Sequence, residues 1–141
     1  MQLWDRGLIR LNDPLSKFIP EYANPVVAVC GMSGNYQLVP AEREIMIYDL
    51  LTMTSGIPYD AEGPTGKVIA DITARWAEDK KEGKDWGTIR VARELAKAPP
   101  LFQPGKYFQY GLSHDILGAV IEVITGKNLY EYLKENTCMA L

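Results

Sequence analysis

The sequence predicts a mainly α fold with one small β-hairpin and no central sheet of its own. Apolar residues recur at helical spacing in six or seven separate stretches of the 141-residue chain. Only two short runs, residues 26–29 and 36–39, have the character of strands. The helical stretches stop at Gly7, Gly56, Pro99 with Pro100, and Gly126, by left-handed backbone or by a missing N–H.

Residues 1–7 read as the last turns of a helix, with Leu3 and Trp4 apolar and Gly7 as its stop. No cap precedes them, which predicts that the helix begins further upstream. Asp13 followed by Pro14 is an N-cap with proline at the first helical position, so residues 15–18 form a short helix that ends before Pro20. Val26, Val27 and Val29 make the first strand of the hairpin and residues 36–39 the second. The connecting loop holds Gly31 and Gly34, but no Lys-Ser/Thr follows, so it is a turn and not a phosphate loop. Residues 47–53 form an amphipathic helix with Gly56 as its stop, and Pro58 and Pro64 bracket a loop. Val68, Ile69, Ile72 and Trp76 place a helix that runs to about Lys81, and the mixed charges of residues 78–85 are its solvated end. Thr88 caps a further helix with Ile89, Ala92 and Leu95 inward, terminated by residues 98–100. Ser113 is the N-cap of a helix carrying Ile116, Leu117, Val120, Ile121 and Ile124, and Gly126 closes it. Asn128 opens the last helix, with Glu131 at capping-box spacing and Leu129, Tyr132 and Leu133 on one face.

The length suits one domain with a real core, and 47% hydrophobic with 23% charged residues suits a soluble globular chain. A net charge of −3 implies no general affinity for nucleic acid or anionic membrane. No apolar run approaches the roughly 20 residues that span a bilayer, and residues 1–6 do not read as a signal peptide. Cys30 and Cys138 make neither a metal motif nor a disulfide framework and are read as small buried or incidental residues.

Chemistry concentrates at one place. The Pro104-Gly105 turn leads into Tyr107, Phe108 and Tyr110, and a helix starts almost at once. Tyr110 therefore sits just before a helix N-terminus, whose partial positive charge favours an anion nearby. A phenol with a pKa of about 10 acts as a base near neutrality only if positive charge lowers that value. From these residues alone, a half-buried aromatic and a catalytic phenol are both open. His114, the sole histidine, lies beside Ser113, but neighbouring residues at a helix start point apart, so the two read as polar helix-start residues. No Gly-x-Ser-x-Gly elbow, metal-ligand cluster or cysteine pair is present in the sequence.

Three segments resemble the serine β-lactamase and penicillin-binding-protein-like superfamily, in particular the class C-like branch with the family VIII carboxylesterases. Residues 7–20, Gly7-Leu-Ile-Arg-Leu-Asn-Asp-Pro-Leu-Ser-Lys-Phe-Ile-Pro20, are similar to that family's G-x-L-x-L-D-D-P-V-x-x-Y-L-P. Residues 45–57, Ile45-Met-Ile-Tyr-Asp-Leu-Leu-Thr-Met-Thr-Ser-Gly-Ile57, are similar to I-T-I-R-D-L-L-T-H-T-S-G-L. Phe102-Gln-Pro-Gly105 through Tyr110, then Asp115-Ile-Leu-Gly118 and Ile121-Glu-Val-Ile-Thr-Gly126, resemble F-x-P-G-x-x-x-x-Y-S and L-G-x-I-I-E-x-v-T-G. Order and spacing fit over nearly the whole chain.

The resemblance implies the helical subdomain of a β-lactamase/transpeptidase-like fold, residues 1–141 forming a single region without the α/β sheet half. It implies acyl transfer through a serine, with a Ser-x-x-Lys pair, a tyrosine and a K-T-G-type strand. By position Tyr110 is the catalytic tyrosine, helped by a neighbouring lysine charge, and Gly111 and Leu112 are substrate-binding. Leu112 stands where β-lactamases have the Asn of Tyr-x-Asn and cannot hydrogen-bond a lactam amide, which favours an esterase-like or peptidase-like pocket. Met46 and Met53 replace a Thr and a His at positions that are mostly structural. No Ser-x-x-Lys occurs: Ser16, Ser33, Ser55 and Ser113 are followed three positions later by Ile19, Tyr36, Pro58 and Ile116. Residues 137–141 also depart from the expected P-L-G-M. The expectation is a hydrolase chain truncated at both ends and inactive by itself, with no cofactor or metal. It would act on a small-molecule acyl substrate in the full-length protein, with no nucleic acid and no membrane span. Its uncovered apolar faces would favour self-association. A non-catalytic recognition or regulatory module on the same fold is the competing class. No compartment is implied.

Overall fold

The computed structural model describes residues 2–137. Cys138 and the departure of residues 138–141 from the family pattern lie outside them. Helix α1 (Gln2–Asp5) is followed by 3-10 turns at Leu15–Lys17 and Pro20–Tyr22. Then come strands β1 (Val26–Cys30) and β2 (Tyr36–Pro40) and helices α2 (Ile47–Leu51), α3 (Gly63–Lys81), α4 (Thr88–Leu95), α5 (Ser113–Thr125) and α6 (Leu129–Asn136). The two strands pair antiparallel, Val27 opposite Val39 and Cys30 opposite Tyr36, and form the one sheet of the described residues. The mainly α architecture with a single hairpin is the one the sequence predicts.

Helix α5 is the centre of the packing. Ile116, Ala119 and Val120 on its inner face are fully buried, and the helix packs on α2, α4 and α6. Leu15, Ile19, Ile45, Ile47, Leu50 and Ile57 complete the core from the first half of the chain. Each such side chain contributes about 1.5–3 kcal/mol by leaving water. Trp86 pins α3 to α4: it is buried, its indole N–H donates to Asp79 Oδ2 at 2.6 Å, and the Arg90 guanidinium lies 4.2 Å from its ring centre.

Several helix ends differ from expectation, each for a tertiary reason. Asp13 does not cap the first turn. Its carboxylate accepts from the Arg10 amide and the Lys17 ammonium, Pro14 takes the cap position, and the turn is 3-10, not α. The α2 helix stops at Leu51, not residue 53. Met53 takes the left-handed conformation at φ +56°, with the Thr54 amide reaching back to the Asp49 carbonyl at 2.8 Å, so Gly56 is not its stop. Helix α3 begins at Gly63, with Pro64 in its first turn and not at a loop boundary. Gly87 holds the cap position of α4 in place of Thr88. Leu112 precedes α5, and the Ser113 hydroxyl is engaged elsewhere. Gly126 closes α5 at φ +68°, and Asn128 Oδ1 accepts the Glu131 amide at 2.8 Å, both as expected. Cys30 is exposed at the end of β1 and not buried.

Candidate active site

The segment that leaves α2, residues 53–58, is a strap hydrogen-bonded along its length to residues 101–112. The Met53 carbonyl accepts from the Gln109 amide at 2.8 Å and the Thr54 carbonyl from Gly105 at 2.9 Å. The Gly56 carbonyl accepts from Leu101 at 2.9 Å and the Ile57 carbonyl from Leu112 at 3.1 Å. The second and third segments of the family pattern are thus one structural unit, bonded through backbone.

Two glycines make the close approach possible. Gly56, at φ +79°, leaves room for Pro100 and the Phe102 carbonyl, which a Cβ would meet at 3.1 and 3.2 Å. Gly111 is tighter: a Cβ there would lie 2.2 Å from the Ile57 carbonyl oxygen and 2.7 Å from Pro58 Cα. Pro58 and Gly111 form an antiparallel bridge. With those two paired, the flanking residues Tyr59 and Tyr110 stand opposite each other across the strands. Their ring centres are 5.7 Å apart at 54°.

Beneath the strap two buried polar groups hold the geometry. Ser55 Oγ and Ser113 Oγ are fully buried and hydrogen-bonded at 2.8 Å, joining the strap to the first residue of α5. Ser55 Oγ also accepts the Ile57 amide at 3.3 Å. Asp49, fully buried, accepts Arg43 in a bidentate pair at 2.6 and 2.9 Å, with the Met46 amide at 2.8 Å and the Thr54 hydroxyl at 3.3 Å. The carboxylate is therefore paired and saturated, which is what makes its burial tolerable.

Tyr110 itself is 62% exposed, so it is not the half-buried packing aromatic that the residues alone left open. It lies ahead of the N-terminus of α5, on a backbone fixed on both sides, with Tyr107 and Phe108 also exposed beside it. Tyr59 faces it, half exposed, and its phenol is pushed above the usual value by partial desolvation and by the neighbouring Tyr110 and Asp115. Of the other two site residues expected from the sequence, Gly111 is buried under Pro58. Leu112 is half-buried and faces a cavity shared with Tyr59 and Ile72. His114 is exposed and Ser113 is spent on Ser55, so these two form no nucleophilic pair. Among the described residues no group of three or more His, Cys, Asp or Glu could hold a metal ion, and no helix is long and apolar enough to cross a membrane. Local pattern could not reveal Tyr59 or Ser55. Each matters through a partner far away in the chain.

This helical layout is the one found in solved proteins of the serine β-lactamase and penicillin-binding-protein-like class. The Beta-lactamase family pattern matches residues 1–141, and the chain belongs to that family. It is 34% identical over 129 residues to the esterase EstB of Burkholderia gladioli, covering 92% of this chain and 29% of that protein. It is 31% identical over 137 residues to a lovastatin esterase of Penicillium rubens, covering 96% of this chain and 32% of that protein. Among solved structures, unliganded simvastatin synthase (LovD) from Aspergillus terreus superposes with a TM-score of 0.65 at 28% identity, over 98% of this chain and 33% of that one. The chain spans about a third of the length of these relatives.

Proposed function

We propose that this chain supplies the proton-transfer tyrosine of a serine hydrolase or acyltransferase acting on esters. The observation that carries the reading is the solvent-facing Tyr110, held in register by the Pro58–Gly111 bridge. Tyr110 accepts the proton of a nucleophilic serine as the serine oxygen attacks the acyl carbonyl. The same proton then goes to the departing alkoxide, leaving an acyl-serine for water or a second alcohol to take. Ser16, Ser33, Ser55 and Ser113 lack the Lys three residues on, and two of them are buried against each other. The nucleophile is assigned to a longer form of the protein, and the 141 residues by themselves to an inactive state. Leu112 supports an ester over a lactam, since it faces apolar side chains and offers no hydrogen bond.

In a full-length form, Tyr110→Phe should lower single-turnover acylation by about 10²-fold or more. Unchanged acylation would remove the assignment. The 141-residue chain should hydrolyse neither p-nitrophenyl esters nor nitrocefin, and stoichiometric labelling of one serine by an acylating probe would overturn that. The same chain should self-associate, because Trp4, Leu51 and Leu133 line an open apolar groove between α1, α2 and α6. A monomeric mass by light scattering at high concentration would contradict this.

A further inference from the structure

The cavity that Leu112 faces is also lined by Tyr59, and the proton-transfer step itself makes no use of it. It has a volume of 330 Å³ and runs between α3 and α4. Its floor is Ile69, Ile72 and Leu95, all buried and therefore fixed by the core. Its rim is Val91 and Leu112, and its lip is Tyr59. Thr73 also lines it, but the Thr73 hydroxyl is spent on the Ile69 carbonyl at 2.9 Å. Protein interiors leave few voids larger than a water molecule. A space of this size is instead at the lower end of small-molecule sites, which run from about 300 to 1,000 Å³.

We infer that this cavity is an acyl-chain pocket, taking the aliphatic tail of an acyl ester. The inference rests on Tyr110 marking the reacting centre. Tyr59 lines the pocket and its ring centre is 5.7 Å from that of Tyr110, so an acyl group attacked beside Tyr110 has its tail at the pocket mouth. The walls offer an aliphatic tail dispersion contacts and burial from water, and offer a charged or amide-bearing tail little to bind. The residue two after the tyrosine is part of the wall, so Leu at position 112 extends the pocket, whereas a polar residue there would interrupt it.

The test is a p-nitrophenyl ester series, acetate against octanoate, in a full-length form. Filling the floor with Ile72→Phe, or the rim with Val91→Phe, should lower the octanoate-to-acetate ratio of kcat/KM by about tenfold or more, in the range that hydrophobic pocket contacts discriminate. Tyr110→Phe should lower both esters and leave that ratio alone. An unaltered ratio in both filled variants, with Tyr110→Phe still impaired, overturns the pocket and spares the tyrosine. Unimpaired Tyr110→Phe overturns the tyrosine instead. Octanoate titrated into the 141-residue chain should shift the indole N–H resonance of Trp76, which also lines the cavity, in a saturable way that Val91→Phe abolishes. Absence of a saturable shift, or a shift unaffected by Val91→Phe, counts against the pocket.

Discussion

The Ser55–Ser113 pair makes a quantitative prediction that is asymmetric between two chemically identical residues. Both hydroxyls are fully buried and bonded at 2.8 Å, but Ser55 Oγ alone also accepts the Ile57 amide. Ser113→Ala leaves one hydroxyl without its partner, at a cost of about 1–3 kcal/mol. Higher helix propensity of alanine at the start of α5 offsets a few tenths of this. Ser55→Ala leaves two groups unpaired, the Ser113 hydroxyl and the Ile57 amide, and should cost about 2–4 kcal/mol. In the double variant both hydroxyls are gone and only the amide is orphaned. Its cost should therefore fall below the sum of the single variants by about 2–3 kcal/mol, the two hydroxyl penalties that the double variant avoids, at the upper end of the range for contacting residues. Equilibrium urea unfolding of the four proteins, with equal m-values, measures this directly. If Ser113→Ala proves costlier than Ser55→Ala, or if the two effects add, the buried pair does not hold the strap to α5 as described.

Gly111→Ala should destabilise by about 2–4 kcal/mol, because its Cβ would meet backbone at 2.2 Å, whereas Gly31→Ala, whose Cβ would meet the Asn35 carbonyl at 3.4 Å, should stay within about 0.5 kcal/mol. Similar urea midpoints for the two variants would refute the close approach. The Trp86 indole N–H, more than the nearby lysine and arginine charges, holds the Asp79 carboxyl below the usual carboxylate range. A folded value below the unfolded one stabilises the protein at pH above the ordinary carboxylate value and loses that contribution as pH falls through the folded value. The gap in urea midpoint between wild type and Asp79→Asn should therefore be open at neutral pH and narrow as pH falls below the ordinary carboxylate value of about 4. A gap that stays constant as pH falls would show that the hydrogen bond does not act through ionisation.

Capping residues show how far local reading reaches. Asn128 and Asp13 are equally good caps by type. Among the described residues the Asn128 Oδ1 is bonded to the Glu131 amide, whereas the Asp13 carboxylate is taken by Lys17 and the Arg10 amide. Ser113 has a capping hydroxyl but finds a buried partner on a different segment. Met53 carries no sequence mark of left-handed backbone. The glycine that does, Gly56, is needed for its approach to Pro100. The place of Tyr110 just ahead of α5 was legible because a turn followed by a helix is a local pattern. Tyr59 was not, because only its partner gives it meaning.

What the sequence alone determined is the set of main helices, the hairpin and the buried face of α3, α4 and α5. These follow from apolar spacing within a few turns of chain, where a residue's neighbours are also its neighbours in sequence. The tertiary structure alone decided that the strap at residues 53–58 is hydrogen-bonded to the loop at residues 101–112, and hence that Tyr59 faces Tyr110 beside an apolar cavity. That pairing is selected by backbone hydrogen bonds and by the space Gly111 leaves beside Ile57, contacts between segments that no local window spans together.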